Sequence, residues 1–363
     1  MFRPARLTLA RERRCVTKLA LAEAVEIAAR NIHRYEDGEL RPTQDTLARI
    51  AQFLDFPQSF FVRPPPPEFA ERVSFRSLST LTKKKQAAVL AAGTIAVELS
   101  AFLDSHLRLP DPNLPGCRGQ DAEGAVAVLR AHWGLGNKPI TNMVQLLEKN
   151  GVRVFSLVGD QKEVDAFTVR HDEVPFVFLN TLKSAERGRF DAAHELGHLV
   201  LHEHGSWTGK EVEREADAFA SAFLMPRADV IAHHSPLPKL DNLIEKKQRF
   251  GVSVGAYARR LRDLELIATW HYKDLCVQIS KRGYRKHEPK GRRRETSQLL
   301  LKAFTLLKEK KGITRPQVAA ELGITNDELS RLLFGLTLSS IEGSSRAGTS
   351  SWVTTPPQLR RVK

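Results

Sequence analysis

The stretch RFDAAHELGHLVLH, residues 189–202, leaves the chain little choice of local structure. Phe190, Ala193, Leu196, Leu199 and Val200 recur at three- and four-residue intervals, the period of a helix with one apolar face. On that helix His194 and His198 project from the same side one turn apart, so both imidazoles can reach one metal ion. Glu195 lies beside them, placed to take a proton from a metal-bound water. A catalytic zinc keeps three protein ligands, so one more is needed. Downstream, EVEREADAFASAFLMP places Glu213 and Asp217 four residues apart, on a helix whose other side offers Ala216, Phe219, Phe223 and Leu224 to the core. That stripe puts Glu213 on the metal and Asp217 one turn on, where it accepts a hydrogen bond from the free nitrogen of a ligand histidine and fixes its tautomer. Glu215 is the rival ligand but falls about 200° around the helix from Glu213, nearer solvent. His202 continues the row, yet eight residues of helix rise about 12 Å, too far for His194 and His202 to share one ion. His202 and His204 therefore read as structural or rim residues, and His171 as an exposed one. The expected ion is Zn²⁺, one per chain, although the same N/O set admits Mn²⁺ or Fe²⁺.

The first sixty residues carry a different signal. Leu7, Leu9, Leu19, Leu21, Val25, Ile27, Ile32, Leu47, Ile50, Ala51 and Leu54 follow mixed three-and-four spacing, a string of short helices over residues 5–61. Residues 17–37 lie on a helix-turn-helix template: Thr17 as N-cap, a small residue at Ala22 where the second helix crosses, a turn near Glu26, and an inward anchor at Ile32. Lys18, Ala29, Arg30, Asn31, His33 and Arg34 would then face the major groove or its flanking phosphates. Arg30 and Asn31 are the better base readers, since Arg and Asn pair bidentately with guanine and adenine edges. Four prolines, residues 64–67, end this unit, because they cannot continue a helix and favour an extended spacer.

The rest of the chain reads as α+β, predominantly α. We expect a five-helix helix-turn-helix domain over 1–63 and a Pro-rich linker with a helical connector over 64–133. A metal-binding domain with a small β-sheet over 134–285, a helical, helix-turn-helix-like domain over 286–338 and a disordered tail over 339–363 complete the division. The strand-like runs are VRVFSLV, AFTVR and PFVFLN, with LCVQIS further on. Near the C-terminus, GITRPQVAAELGITNDELSRLLFGL has its own small residue at Ala319, turn glycine at Gly323 and apolar Leu329, and reads either as a second DNA-contacting unit or as a packing bundle. Fifty-six Lys and Arg against forty-two Asp and Glu give a net charge of +14, which favours a polyanionic partner, nucleic acid first. The basic run KRGYRKHEPKGRRR, residues 281–294, is a solvated linker or a phosphate contact. Cys15, Cys117 and Cys276 are far apart with no C-x-x-C spacing, so neither a cysteine zinc site nor a disulfide framework is suggested. With no signal-peptide h-region and no apolar run of about eighteen residues, a cytoplasmic protein without membrane contact is expected.

Two resemblances sharpen these readings. Residues 5–61, including RYEDGELRPTQDTLARIAQFLDFPQSFF, resemble the Xre/Cro/cI-type repressor domain, with two departures: Glu26 stands where the family usually has Gly, and Ala28 where the recognition helix usually has a Ser or Thr cap. The block from about 135 to 280 resembles the ImmA/IrrE family of zinc metallopeptidases in PFVFLN, RFDAAHELGHLVLH and EREADAFASAFLMP. That resemblance implies a zincin-like fold and a regulatory protease acting on a transcriptional repressor, with Glu195 activating zinc-bound water and later protonating the leaving amine. VPFVFLN would be the exposed edge strand to which an extended substrate adds. A double-stranded operator and a protein substrate are the expected partners, with a homodimer suggested by two-fold operators. The alternative is a transcription regulator whose peptidase-like domain senses a metal or ligand without cleaving. Self-cleavage near the prolines is a third reading.

Overall fold

The computed structural model describes residues 1–67, 81–157, 164–202 and 209–337. The tail from 339 and His204 lie outside the described residues. The N-terminal unit consists of α1 (Pro4–Arg13), α2 (Lys18–Ala24), α3 (Ala29–Glu36), α4 (Gln44–Leu54) and a 3₁₀ turn (Gln58–Val62). Thr17 caps α2 by accepting from the Ala20 N–H at 3.1 Å, and Ala22 and Ile32 are buried as the template requires. The two departures show as local geometry. Glu26 holds φ +54°, a left-handed value that costs a side-chain-bearing residue about 1–2 kcal/mol, and Ala28 offers α3 no cap. Ala28→Ser supplies the missing acceptor and is expected to raise stability by about 1 kcal/mol, read from the midpoint of denaturant unfolding. Leu19 departs from the apolar pattern: it is exposed, not part of the core.

After the prolines, α5 (Lys83–His106) runs through the middle of the molecule. It is long and apolar enough to span a membrane, but 67% of its apolar window is buried inside the protein, so it is a core helix. Its face at Gly93 meets the rings of Phe167 and Phe178, and Glu98 pairs with the buried Arg6 of α1. The segment expected to act as a connector thus packs on both the N-terminal unit and the sheet. Next come α6 (Ala122–His132), α7 (Met143–Lys149), β1 (Arg153–Ser156), β2 (Ala166–His171) and β3 (Val174–Leu179). The three strands form one sheet in the order β1-β3-β2, with β3 parallel to β1 and antiparallel to β2. VPFVFLN is therefore the central strand, not an edge. Its Phe176, Val177 and Phe178 are buried, as a strand flanked on both sides requires.

α8 (Ala185–Leu201) and α9 (Lys210–Leu224) pack against each other beside this sheet. A Cβ on Gly197 would stand 3.0 Å from Phe219 Cδ1 and 3.3 Å from Ala216 Cα, so the glycine inside HELGH sets how closely the two helices approach. α10 (Arg227–His233), α11 (Leu240–Phe250), α12 (Val254–Asp263) and α13 (Thr269–Lys281) follow. LCVQIS lies within α13 and is helical. Leu275 and Ile279, four apart, are buried while Val277 is half exposed, so packing on one helical face overrides the β-branched composition. In the basic run, Arg282, Lys290, Arg292 and Arg294 are engaged by Asp241, Glu245, the Thr141 carbonyl and the Lys183 carbonyl, so much of it packs onto the domain.

The C-terminal unit, α14 (Gln298–Lys311), α15 (Arg315–Leu322) and α16 (Asn326–Leu333), wedges between sheet and N-terminal unit. Thr181 Oγ1 donates to the Phe334 carbonyl at 2.9 Å. Glu328, fully buried, receives Arg13 Nε and Arg14 Nη1, each at 2.5 Å.

Candidate metal centre

Helix periodicity brings His194 and His198 together and the close α8–α9 contact brings Glu213 to them. The Nε2 atoms of the two histidines stand 3.1 Å apart, with Glu213 Oε2 3.4 Å from His194 Nε2 and Glu213 Oε1 3.7 Å from His198 Nε2. One donor atom from each of the three side chains lies within 4.8 Å of the others. Asp217 Oδ1 sits 2.9 Å from His194 Nδ1, on the ring nitrogen turned away from the cluster.

Glu215 does not join the cluster. It pairs with His202 Nε2 at 2.9 Å, and His202 Nδ1 lies 3.1 Å from His198 Nδ1. Each cluster histidine therefore has its outer nitrogen held, His194 by a carboxylate and His198 by a second imidazole that is itself tied to a carboxylate.

Two observations test whether these residues fit a metal. Glu213 Oε1 is a buried carboxylate oxygen without a hydrogen-bond partner among the described residues, turned toward the histidines. Burial opposes charge on His194, but hydrogen bonds to Asp217 and Glu213 outweigh it and push its pKa up to about 10. His198 is pushed down to about 2 by burial, with the charges of His194 and His202 adding. One positive charge is thus held between two imidazoles and a carboxylate, where a divalent cation would supply it. The donors are all N and O, and they fit such an ion.

Glu195, the next residue along the helix, is buried and lines the same cleft. Thr168 of β2 donates to Glu195 Oε2 at 2.5 Å. Burial pushes the Glu195 pKa up to about 7, with the His194 charge and the Thr168 hydrogen bond pulling against it. Sequence reasoning assigned AFTVR to a strand but gave Thr168 no role. Nothing local marks it, because its contact with Glu195 depends on where the sheet packs on α8.

The cluster opens into a cleft of about 1010 Å³ whose walls include Asp165 and Ala166 at the start of β2. Carboxylates from Asp121, Glu123, Glu211, Glu215 and Asp217 also line it, together with Arg187, Arg214, Arg259 and Arg260.

In the N-terminal unit, Arg30, His33 and Arg34 are exposed on α3, Asn31 is half-buried, and Ala29 is half-buried against the core. Lys18 is engaged, 3.2 Å from Glu36 and 3.3 Å from His33 Nδ1.

Fold and site together define a helix-turn-helix protein that carries a metallopeptidase-type domain. Residues 147–262 match the family described as the IrrE N-terminal-like domain, and residues 5–59 match a helix-turn-helix domain. The chain is thus a fusion of those two kinds of domain, a DNA-binding regulatory architecture. No curated protein sequence matches the chain.

Proposed function

We propose that this protein is a DNA-binding zinc metalloendopeptidase of the cytoplasm that cleaves a transcriptional repressor. The observation that carries the reading is the convergence of His194, His198 and Glu213 beside a buried carboxylate, Glu195, in an open cleft. Zinc alone would need no such carboxylate. When bound by His194, His198 and Glu213, the ion supplies a Lewis acid for the scissile carbonyl and lowers the pKa of the attacking water. Glu195 takes the proton from that water at Oε1 or Oε2 and returns it to the leaving amine, a task suited to a carboxyl whose pKa lies near 7. Asp217 and the His202–Glu215 pair hold the two imidazoles in one tautomer each.

The substrate enters beside the start of β2 rather than along the central β3, because Asp165 and Ala166 at that end of the strand line the cleft. Arg30 and Asn31 read the operator, bringing the enzyme to the DNA its target occupies.

The test is metal content by elemental analysis of wild type, His194→Ala and Glu213→Ala, each confirmed folded. One equivalent of zinc in wild type, lost in both variants, is the expected result. A wild type that takes up none when offered zinc would leave HELGH as a packing helix and the protein a transcription regulator without protease activity.

A further inference from the structure

We propose that the DNA-binding surface extends past the helix-turn-helix unit onto the first turn of α5, where Lys83 and Lys84 contact backbone phosphates. The proposal rests on the DNA-binding reading of the N-terminal unit and adds a site to it.

Charge within that unit is the first ground. Residues 1–63 hold eleven Arg and Lys and eight Asp and Glu, a surplus of 11 − 8 = +3. Most of the cations are engaged. Arg6 pairs with Glu98, Arg11 and Lys18 with Glu36, Arg13 and Arg14 with Glu328, Arg34 with Glu39 and Arg49 with Asp45. Arg63 donates to the Glu321 carbonyl. Among the described residues, Arg3, Arg30 and Arg41 are the cations of this unit with neither an ion pair nor such a tie. Lys18, which stands where the first helix of the motif crosses the phosphate backbone, is held by Glu36. Phosphate contact supplies a large share of the affinity of DNA-binding domains, and few cations of this unit are unpaired to make it.

Position is the second ground. The Lys84 carbonyl lies 3.7 Å from Cys15 Sγ, in the link between α1 and α2, two residues before Thr17 caps α2. The start of α5 therefore borders the end of the motif that meets the backbone. Lys83 and Lys84 are both exposed there, with no carboxylate in ion-pairing range among the described residues. The contact is not loose: Arg6 and Glu98 fix α1 on α5 further along. The lysines are thus carried by the helix that also packs on the sheet of the metal-binding domain.

The experiment measures binding of a fluorescein-labelled mixed-sequence duplex, and of the preferred operator once selected, by anisotropy over a series of salt concentrations. In Lys83→Ala/Lys84→Ala, affinity for both duplexes is expected to fall by the same factor, and the slope of log K against log salt to flatten by about 2, close to 0.9 per lost phosphate contact. Arg30→Ala/Asn31→Ala should instead narrow the ratio between operator and mixed sequence. Lys310→Ala/Lys311→Ala, exposed lysines at the far end of α14, controls for net charge. An unchanged slope in the Lys83/Lys84 variant, or an equal change in the control, overturns the proposal while leaving the helix-turn-helix reading intact. A wild type that binds neither duplex at low salt overturns both.

Discussion

Glu195→Gln is expected to lower peptide hydrolysis by about 10²–10⁴-fold while metal content, DNA affinity and folding stay near wild type. Glutamine keeps the shape and an oxygen that accepts the Thr168 hydroxyl, so the buried contact survives. What it lacks is the ability to take a proton. The pH profile gives a finer test. The base form of Glu195 predominates only above about 7, so the rate falls as pH drops through that value. Thr168 donates to the charged carboxylate and holds its pKa down against burial. Thr168→Val removes a hydrogen bond to a charged group, worth about 1.5–3 kcal/mol, and each pKa unit is about 1.4 kcal/mol. The acid limb is therefore expected to move upward by about one to two pH units, with the rate well above it little changed. An acid limb that stays in place would show that Thr168 does not set the charge on Glu195. Loss of folding in Glu195→Gln would make the carboxylate a structural group.

The parts of this site that were legible in the sequence are those set by helix geometry. His194, His198, Glu213 and Asp217 sit on two helices whose apolar stripes fix which way each side chain faces, so spacing alone assigns them sides. The helix-turn-helix unit was legible for the same reason, down to the left-handed Glu26 and the uncapped Ala28. Strand order was not. β1, β2 and β3 all read as apolar runs, and which of them lies in the middle depends on pairing between segments far apart in the chain. Helix against strand in LCVQIS was likewise decided by what Leu275 and Ile279 pack against. Burial of a whole helix escaped too: α5 looked like a connector because neither the Arg6–Glu98 pair nor its packing on Phe167 leaves a mark in local periodicity. Nothing local marks Glu328 as buried, because its partners are more than three hundred residues away.

Glu328→Ala is expected to destabilise the protein by about 3–5 kcal/mol, the range for removing one partner of a buried ion pair. The carboxylate is fully buried and receives both Arg13 and Arg14, whose side chains are 10% and 13% exposed. Arg14 keeps the carbonyls of Leu54 and Asp55 and the ring of Phe56, so the cost falls mainly on Arg13 and on the emptied volume. The lower half of the range follows. Acid should act like the substitution. Burial alone would raise the Glu328 pKa, but Arg13 and Arg14 outweigh it and hold the carboxyl below the usual range. A depressed pKa contributes stability that is complete above the unfolded-state value, about 4.3, and is lost as pH falls through the folded value. Wild type should therefore lose the clamp only in acid, whereas Glu328→Ala lacks it at neutral pH. Amide hydrogen exchange distinguishes loss of this contact from general unfolding. Protection should drop in α16 and α1 together while α8 and α9, held by Arg189, Glu295 and the packing around Gly197, keep theirs. Equal loss everywhere would show that the C-terminal unit stabilises the whole fold and does not serve as a separate clamp. With the clamp intact, α1 of the helix-turn-helix unit is held from two sides, by Arg6 on Glu98 of α5 and by Arg13 and Arg14 on Glu328 of α16, and since both of those helices also pack on the sheet, docking on DNA would fix the direction in which the cleft opens.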